Sequence, residues 1–319
     1  MTARFIDVFN GDADGICALH QLRLSDPAES ELITGPKRDI SLLKRVRAQA
    51  GDRITVLDIA LSKNRDALDA LLDAGAQVRY FDHHQPGDIP VHPHFEPHID
   101  TDANVCTSLL VNEFLQGKQL AWAVTAAFGD NLGEAARQAA TPLGLSAGQL
   151  VQLQSLGECL NYNGYGETLD DLFFDPADLY RKVRPYADPF GFIAESPAYR
   201  ILKTGYQDDM ARAVAVGATE ARPAGRVFML PAEKWARRIS GVFGNQLAVE
   251  SPAQAHAVLT AKPGGYVVSV RAPLVSRIGA DQLCSQFETG GGRKAAAGIN
   301  HLPESELGRF IASFFDVFG

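Results

Sequence analysis

The chain has 319 residues, 46% of them hydrophobic and 21% charged, which is the composition of a globular protein long enough for two domains. No apolar run is long enough to cross a bilayer, the best candidate being residues 120–128, and the N-terminus carries no signal-peptide pattern, so the cytoplasm is the expected compartment. A formal net charge of −8 argues against a long polyanion spread over a basic surface, whereas a short anionic substrate in a local basic pocket is compatible with it.

The N-terminal region alternates strand-like and helix-like segments, the pattern of βαβ units in a parallel sheet. Residues 4–9 read as a strand that runs into Asn10-Gly11-Asp12-Ala13-Asp14-Gly15 and then an amphipathic helix over residues 14–24. Strands are expected over residues 31–34, 53–58 and 77–82, with helical sequence over 40–50 and 62–74 between them. The third of these strands ends on Asp58 and the fourth on Asp82-His83-His84. A loop rich in Pro and His is expected over residues 85–102, followed by mostly helical sequence from 105 to 160. Pro176, Pro185, Pro189 and Pro197 punctuate residues 175–199, which read as a linker with a domain boundary near Ser196. Around it Arg181, Lys182, Arg184, Arg200, Lys203, Arg212, Arg222, Arg226, Lys234, Arg237 and Arg238 outnumber the nearby acids. Beyond the boundary a helix is expected at 208–221, strands at 226–230, 256–262 and 266–271, and a glycine-rich turn at Gly290-Gly291-Gly292 opening into Arg293.

The expected architecture is therefore α/β. A Rossmann-like parallel-sheet domain followed by helices occupies residues 1–195, and a smaller mixed α/β domain occupies 196–319. The four cysteines, Cys17, Cys106, Cys159 and Cys284, have no paired spacing and read as small buried hydrophobes rather than disulfides or zinc ligands.

Three strands thus deliver acidic or imidazole groups at their carboxyl ends, where open parallel sheets do their chemistry. Asp12 and Asp14, one residue apart, splay from a tight turn, and Asp58 can bridge two cations with its two oxygens. His83 adds a neutral nitrogen, and Asp130, in the segment AAFGDN after a helix, adds a further carboxylate. Mixed carboxylate and imidazole sets suit manganese or magnesium more than zinc. Two such ions about 3.5 to 4 Å apart activate a water and stabilise a leaving oxygen, the requirements of in-line phosphoryl displacement.

With these motifs the sequence resembles the DHH phosphoesterase superfamily, which includes RecJ-type exonucleases, oligoribonucleases and family II inorganic pyrophosphatases. The resemblance covers nearly the whole chain: Asn10 to Gly15 is similar to the first motif, Asp58 to the second, Asp82-His83-His84 to the third and Gly129-Asp130 to the fourth. It implies two Mn2+ or Mg2+ ions, one on Asp12 and Asp58 and the other on Asp14, Asp58, His83 and Asp130. Asp82, His83 and His84 would be catalytic, with Asp82 orienting an imidazole and His84 facing the substrate phosphate.

The C-terminal part resembles the DHH-associated domain. GGGRKAAAG matches a loop that usually reads GGGH, so Gly290, Gly291, Gly292 and Arg293 are implied substrate contacts, with glycine N–H groups at a helix start as the anion site. Ser269 and Arg271, in VSVRAP, match a strand that also faces substrate. A second departure concerns the first metal. Asn10 stands where relatives commonly have histidine, and the histidine position used by pyrophosphatases is here Val8, so the first site is implied to be loose, water-filled or empty, with the Asn10 amide oxygen as a weak ligand beside Asp12 and Asp58 and a one-metal or inactive site as the alternative.

Other features carry plainer readings. His92, His94 and His98 share a proline-bearing loop and read as solvated, Trp122 and Trp235 read as packing, and residues 161–167 read either as a base-stacking surface or as a helix-terminating loop. The expected enzyme has its active site in a cleft between the domains and hydrolyses dinucleotides or very short oligonucleotides, linearised cyclic dinucleotides for example. Alternatives are a phosphoadenosine phosphate phosphatase, a single-strand exonuclease, or a nucleotide-binding regulator with a degenerate site. No membrane partner is expected, and a homodimer is compatible with the sequence.

Overall fold

The computed structural model describes residues 3–319, which divide into two compact units with the boundary between Thr204 and Gly205. The first is built on five parallel strands, β1 (Phe5–Phe9), β2 (Glu31–Ile33), β3 (Arg53–Leu57), β4 (Gln77–Asp82) and β5 (Phe95–Ile99), in the order β2-β1-β3-β4-β5. Strand alternation sorts the side chains between two cores. Ile6, Val8, Ile54, Val56, Val78 and Tyr80 pack with Leu68, Leu71 and Leu72 of α2 (Leu61–Asp73), while Phe9, Leu57 and Phe81 face a second cluster that contains α1 (Ala13–Ser25). Asp7 is fully buried on β1 and is offset by Arg23 of α1, 2.5 Å away, and by the Ser30 hydroxyl.

After β5 the unit is helical: α3 (Thr107–Phe114), α4 (Leu120–Gly129), α5 (Gly133–Ala139), α6 (Ala147–Gly164), α7 (Pro176–Val183), α8 (Pro189–Glu195) and the first part of α9 (Pro197–Val216). The prolines expected to mark a linker open three helices instead. Pro176, Pro189 and Pro197 each begin a helix, where a missing N–H costs nothing and the fixed φ is already helical. The division between the units falls inside α9, at Thr204 and Gly205.

Two other expectations are corrected. Residues 40–50 form only a short 3₁₀ turn, Leu42–Arg45, and the presumed loop at 85–102 contains β5. Pro97 is tolerated there because β5 is the edge of the sheet and pairs only with β4, where Pro97 lies opposite Tyr80.

The second unit is a six-stranded mixed sheet in the order β10-β11-β9-β8-β7-β6, from β6 (Glu220–Arg222), β7 (Gly225–Leu230), β8 (Ala255–Lys262), β9 (Gly265–Arg271), β10 (Gly290–Gly292) and β11 (Ala296–Pro303). Only β7 and β8 run parallel. Helices α11 (Ala280–Cys284) and α12 (Leu307–Phe318) join its core through Leu283, Phe310, Phe314 and Phe315. Helix α10 (Lys234–Glu250) packs on β8 and β9. All four cysteines are buried and unpaired. Among the described residues no helix is long and apolar enough to cross a membrane.

Candidate metal centre

In this strand order the chain leaves β1 toward β2 on one side and returns to β3 on the other, so the β1/β3 junction is the switch point where such sheets leave a crevice. The segment after β1 and the residue after β3 both lie there. Asp12 is the N-cap of α1, and its Oδ1 accepts from the N–H groups of Asp14 and Gly15 at 3.0 and 3.1 Å. Asp58 follows β3 with φ at 59°, in the left-handed region that a short polar residue tolerates better than a branched one. Its N–H still bonds the Phe81 carbonyl, so the turn begins directly from the ladder. Asp14 carries a contact the sequence did not reveal: its two oxygens accept from the N–H groups of Thr107 and Ser108 at 2.8 and 2.7 Å, tying α1 to the start of α3.

His83 shows most clearly what the site can bind. Its Nδ1 lies 2.9 Å from the Val105 carbonyl, which can only accept, so Nδ1 carries the hydrogen. The other nitrogen, Nε2, lies 3.4 Å from Asp58 Oδ1 and 3.8 Å from Asp130 Oδ2. A neutral imidazole would thus turn a lone pair on carboxylate oxygens, an arrangement stable only with a cation among them. A proton on Nε2 is one solution, and the surrounding carboxylates do hold the imidazole at about 10, burial being outweighed by Asp58, Asp14 and Asp130. A divalent ion is the other. One ligand atom from each of Asp14, His83 and Asp130 lies within 4.8 Å of the others, as do atoms of Asp58, His83 and His84.

The remaining groups behave as parts of one charge cluster. Burial raises the carboxyls of Asp58 and Asp14, the first further by Asp12 and Asp14, the second by Asp130 and Asp12 against the opposing pull of His83. Burial also acts on Asp12, but a cation overrides it and Asp12 titrates below the ordinary carboxylate range. That cation is Lys37, which the sequence reading missed. Its Nζ lies 2.6 Å from Asp12 Oδ2, 3.2 Å from Asn161 Oδ1 and 3.4 Å from Asp130 Oδ1. Although burial works against the ammonium, Asp12, Tyr165, Asp130 and Asp58 raise it well above the usual lysine value. Lys37 follows β2, so it too stands at the carboxyl end of the sheet.

Asp82 orients His84 rather than His83, its Oδ1 lying 2.7 Å from His84 Nδ1. The second Asp82 oxygen is buried without a partner, as is Asn10 Oδ1. Asp130 and His84 have side chains 20% and 34% exposed, so the cluster opens to solvent on their side. Of residues 161–167, Asn161 to Gly164 belong to the end of α6, Tyr162 is buried, and Asn161 reaches Lys37.

In the second unit Ser269 and Arg271 share one face of β9. Arg271 Nη1 donates to Ser269 Oγ at 2.9 Å and its Nε donates to Asn245 Oδ1 of α10 at 2.6 Å. The glycine loop is not a helix start. Gly290–Gly292 is an edge strand paired with β11, and Arg293 stands exposed in the turn that joins them, closed by reciprocal backbone bonds with Ala296. Gly292, with φ at 145°, allows this turn, and a Cβ there would come within 2.6 Å of Ala297.

No protein-family model and no curated protein matches the chain. Solved structures do. The manganese-bound exonuclease RecJ superposes with a TM-score of 0.63 at 18% identity, over 98% of this chain and 89% of that one. A pGpG-specific phosphodiesterase, PggH from Vibrio cholerae, gives 0.60 at 15% identity over the full length of both. The Mn2+ complex of RecJ from Thermus thermophilus gives 0.58 at 17% identity, over 98% of this chain but 51% of that longer one. The chain has the DHH-type α/β fold.

Proposed function

We propose that the protein is a metal-dependent phosphoesterase that hydrolyses dinucleotides or very short oligonucleotides, linearised cyclic dinucleotides among them, to mononucleotides. One observation carries the reading: His83 Nδ1 is fixed on the Val105 carbonyl, which turns Nε2 toward carboxylate oxygens of Asp58 and Asp130 with Asp14 alongside. That donor set fits Mn2+ or Mg2+. A bound ion would supply Lewis-acid polarisation of a phosphoryl group. Asp14, Asp58, His83 and Asp130 are the residues to hold it. Asp82 fixes His84 through Nδ1, which leaves Nε2 to meet a phosphate oxygen or carry a proton. The resemblance to DHH enzymes implies two ions, and the activity proposed here needs at least one.

A short substrate is favoured by the net charge of −8 and by the end-to-end match with a dinucleotide-specific neighbour. Ser269, Arg271, Gly290, Gly291, Gly292 and Arg293 are assigned to substrate binding, Arg293 as an exposed guanidinium able to take phosphate oxygens in pairs.

The test is the purified chain with Mn2+, assayed in parallel on dinucleotides, longer RNA and DNA strands, pyrophosphate and 3′-phosphoadenosine 5′-phosphate. Dinucleotides should turn over fastest, and Asp58→Ala should abolish turnover. Faster cleavage of long strands or of phosphoadenosine phosphate would move the assignment to an exonuclease or a phosphatase. Tight nucleotide binding with no turnover in Mn2+ would replace the enzyme by a nucleotide-binding regulator.

A further inference from the structure

We propose that Lys37 takes the place of one of two metal ions, so that the chain binds a single divalent ion and meets the remaining negative charge with a built-in ammonium. The inference rests on reading the carboxylate and imidazole cluster as a metal centre. It begins from Asp12, the carboxylate that lies nearest the ammonium: Oδ1 takes two N–H groups of α1 and Oδ2 takes the lysine at 2.6 Å. An ion on the same Oδ2 would have to share that oxygen with the ammonium held at 2.6 Å, the two cations competing for one carboxylate charge. The ammonium and an ion on Asp12 are therefore alternatives.

Lys37 is also anchored rather than free to swing away. Its backbone N–H donates to the Gly164 carbonyl at the end of α6 at 2.9 Å, and Nζ donates to Asn161 on the same helix. The Tyr165 ring lies 5.7 Å from Nζ. The chain just before it is docked as closely: a Cβ on Gly11 would fall 2.1 Å from the Gly35 carbonyl, and one on Gly164 would fall 3.0 Å from Asp12 Cβ. Three segments thus converge at glycine contacts to hold one lysine against Asp12, and its side chain is only 27% exposed. On the other flank Asp14, His83 and Asp130 keep a ligand set that does not need Asp12.

The experiment is metal stoichiometry after equilibrium dialysis against Mn2+, with electron paramagnetic resonance of the bound ions. The expected result is one Mn2+ per chain with an uncoupled spectrum for the unmodified protein. For Lys37→Ala it is two ions with an exchange-coupled spectrum, Asp12, Asp58 and the unpartnered Asn10 oxygen receiving the second. Two coupled ions in the unmodified chain overturn the inference and leave the metal-centre reading intact. One ion in both proteins also overturns it. No bound ion in either overturns the inference together with the metal centre. If Lys37→Ala fails to fold, Lys37→Met, which keeps the apolar stem and removes the charge, is read in its place with the same outcomes.

Discussion

Asp82 illustrates how a residue buried to zero exposure can act only through its neighbour. It bonds His84 Nδ1 and nothing else, so Asp82→Asn should leave the metal stoichiometry unchanged while lowering kcat by about 10- to 100-fold, the usual cost of losing a carboxylate behind an imidazole. Steady-state kinetics alongside metal analysis separates this from a loss of metal. A second histidine carries a different consequence. His20 is buried against Trp122, their rings 4.7 Å apart and edge-on, and donates from Nε2 to the Tyr186 carbonyl at 2.8 Å. Burial, only partly offset by that bond, lowers its pKa to about 4. The unfolded chain then takes up a proton near pH 6.5 that the folded chain refuses, so the stability held above pH 6.5 is lost progressively as pH falls toward 4. Roughly 2 kcal/mol should disappear between pH 7.5 and pH 5, and urea titrations of His20→Leu should show a flatter pH dependence. At this scale the sequence pointed to Asp14, Asp58, His83 and Asp130, which the fold brings into one cluster, because acidic and imidazole residues at strand ends carry their own signature. It concealed Lys37, since a lone lysine after a strand looks like any solvated cation until the fold sets Asp12, Asn161 and Asp130 around it.

Among the elements, α4 and α6 matter most to the centre, because α4 ends on Asp130 and α6 ends beside Asp12. They cross at glycines: a Cβ on Gly157 would fall 2.1 Å from the Thr125 carbonyl and 2.8 Å from the Gly129 nitrogen, both backbone atoms that cannot rotate aside. Gly157→Ala should therefore push the helices apart and cost about 2 to 3 kcal/mol, read as a lowered Tm. It should also weaken Mn2+ binding by moving Asp130, which a surface Gly→Ala change such as Gly148→Ala would not do. Glycine at such a crossing is invisible to periodicity. The same blindness explains the elements that sequence patterns misjudged. Proline reads as a breaker, yet at Pro176, Pro189 and Pro197 it occupies helix starts, and at Pro97 a sheet edge. Residues 40–50 have helical spacing but form only a 3₁₀ turn, which buries Leu42 and Leu43. Helices α10 and α12 were not foreseen; they are amphipathic, with Trp235, Ile239 and Phe243 buried on one and Phe310, Phe314 and Phe315 on the other.

At the scale of the molecule the question is what length of polyanion the surface can follow. Seven of the arginines and lysines that cluster in sequence between 181 and 238 have partners within their own unit. Arg184 pairs with Glu29, Arg181 with Asp178 and Arg238 with Asp209. Lys182, Lys203 and Arg222 lie over the rings of Phe174, Tyr199 and Phe315, and Arg226 donates to Ser251. With these cations engaged inside each unit and a net charge of −8, contacts with a strand beyond its first few phosphates should add little. The number of phosphates neutralised sets the salt dependence of binding, with a slope of about −0.7 per phosphate on single strands. For a dinucleotide the slope of log(1/KM) against log salt should therefore lie near −1 to −2. The decisive comparison is with strands of six and twelve nucleotides: the slope should stay the same as the strand grows, because no further phosphates are engaged. A slope that steepens with length would reveal a basic track and overturn the short-substrate assignment, while leaving the metal centre and its single lysine-replaced site to be judged by stoichiometry.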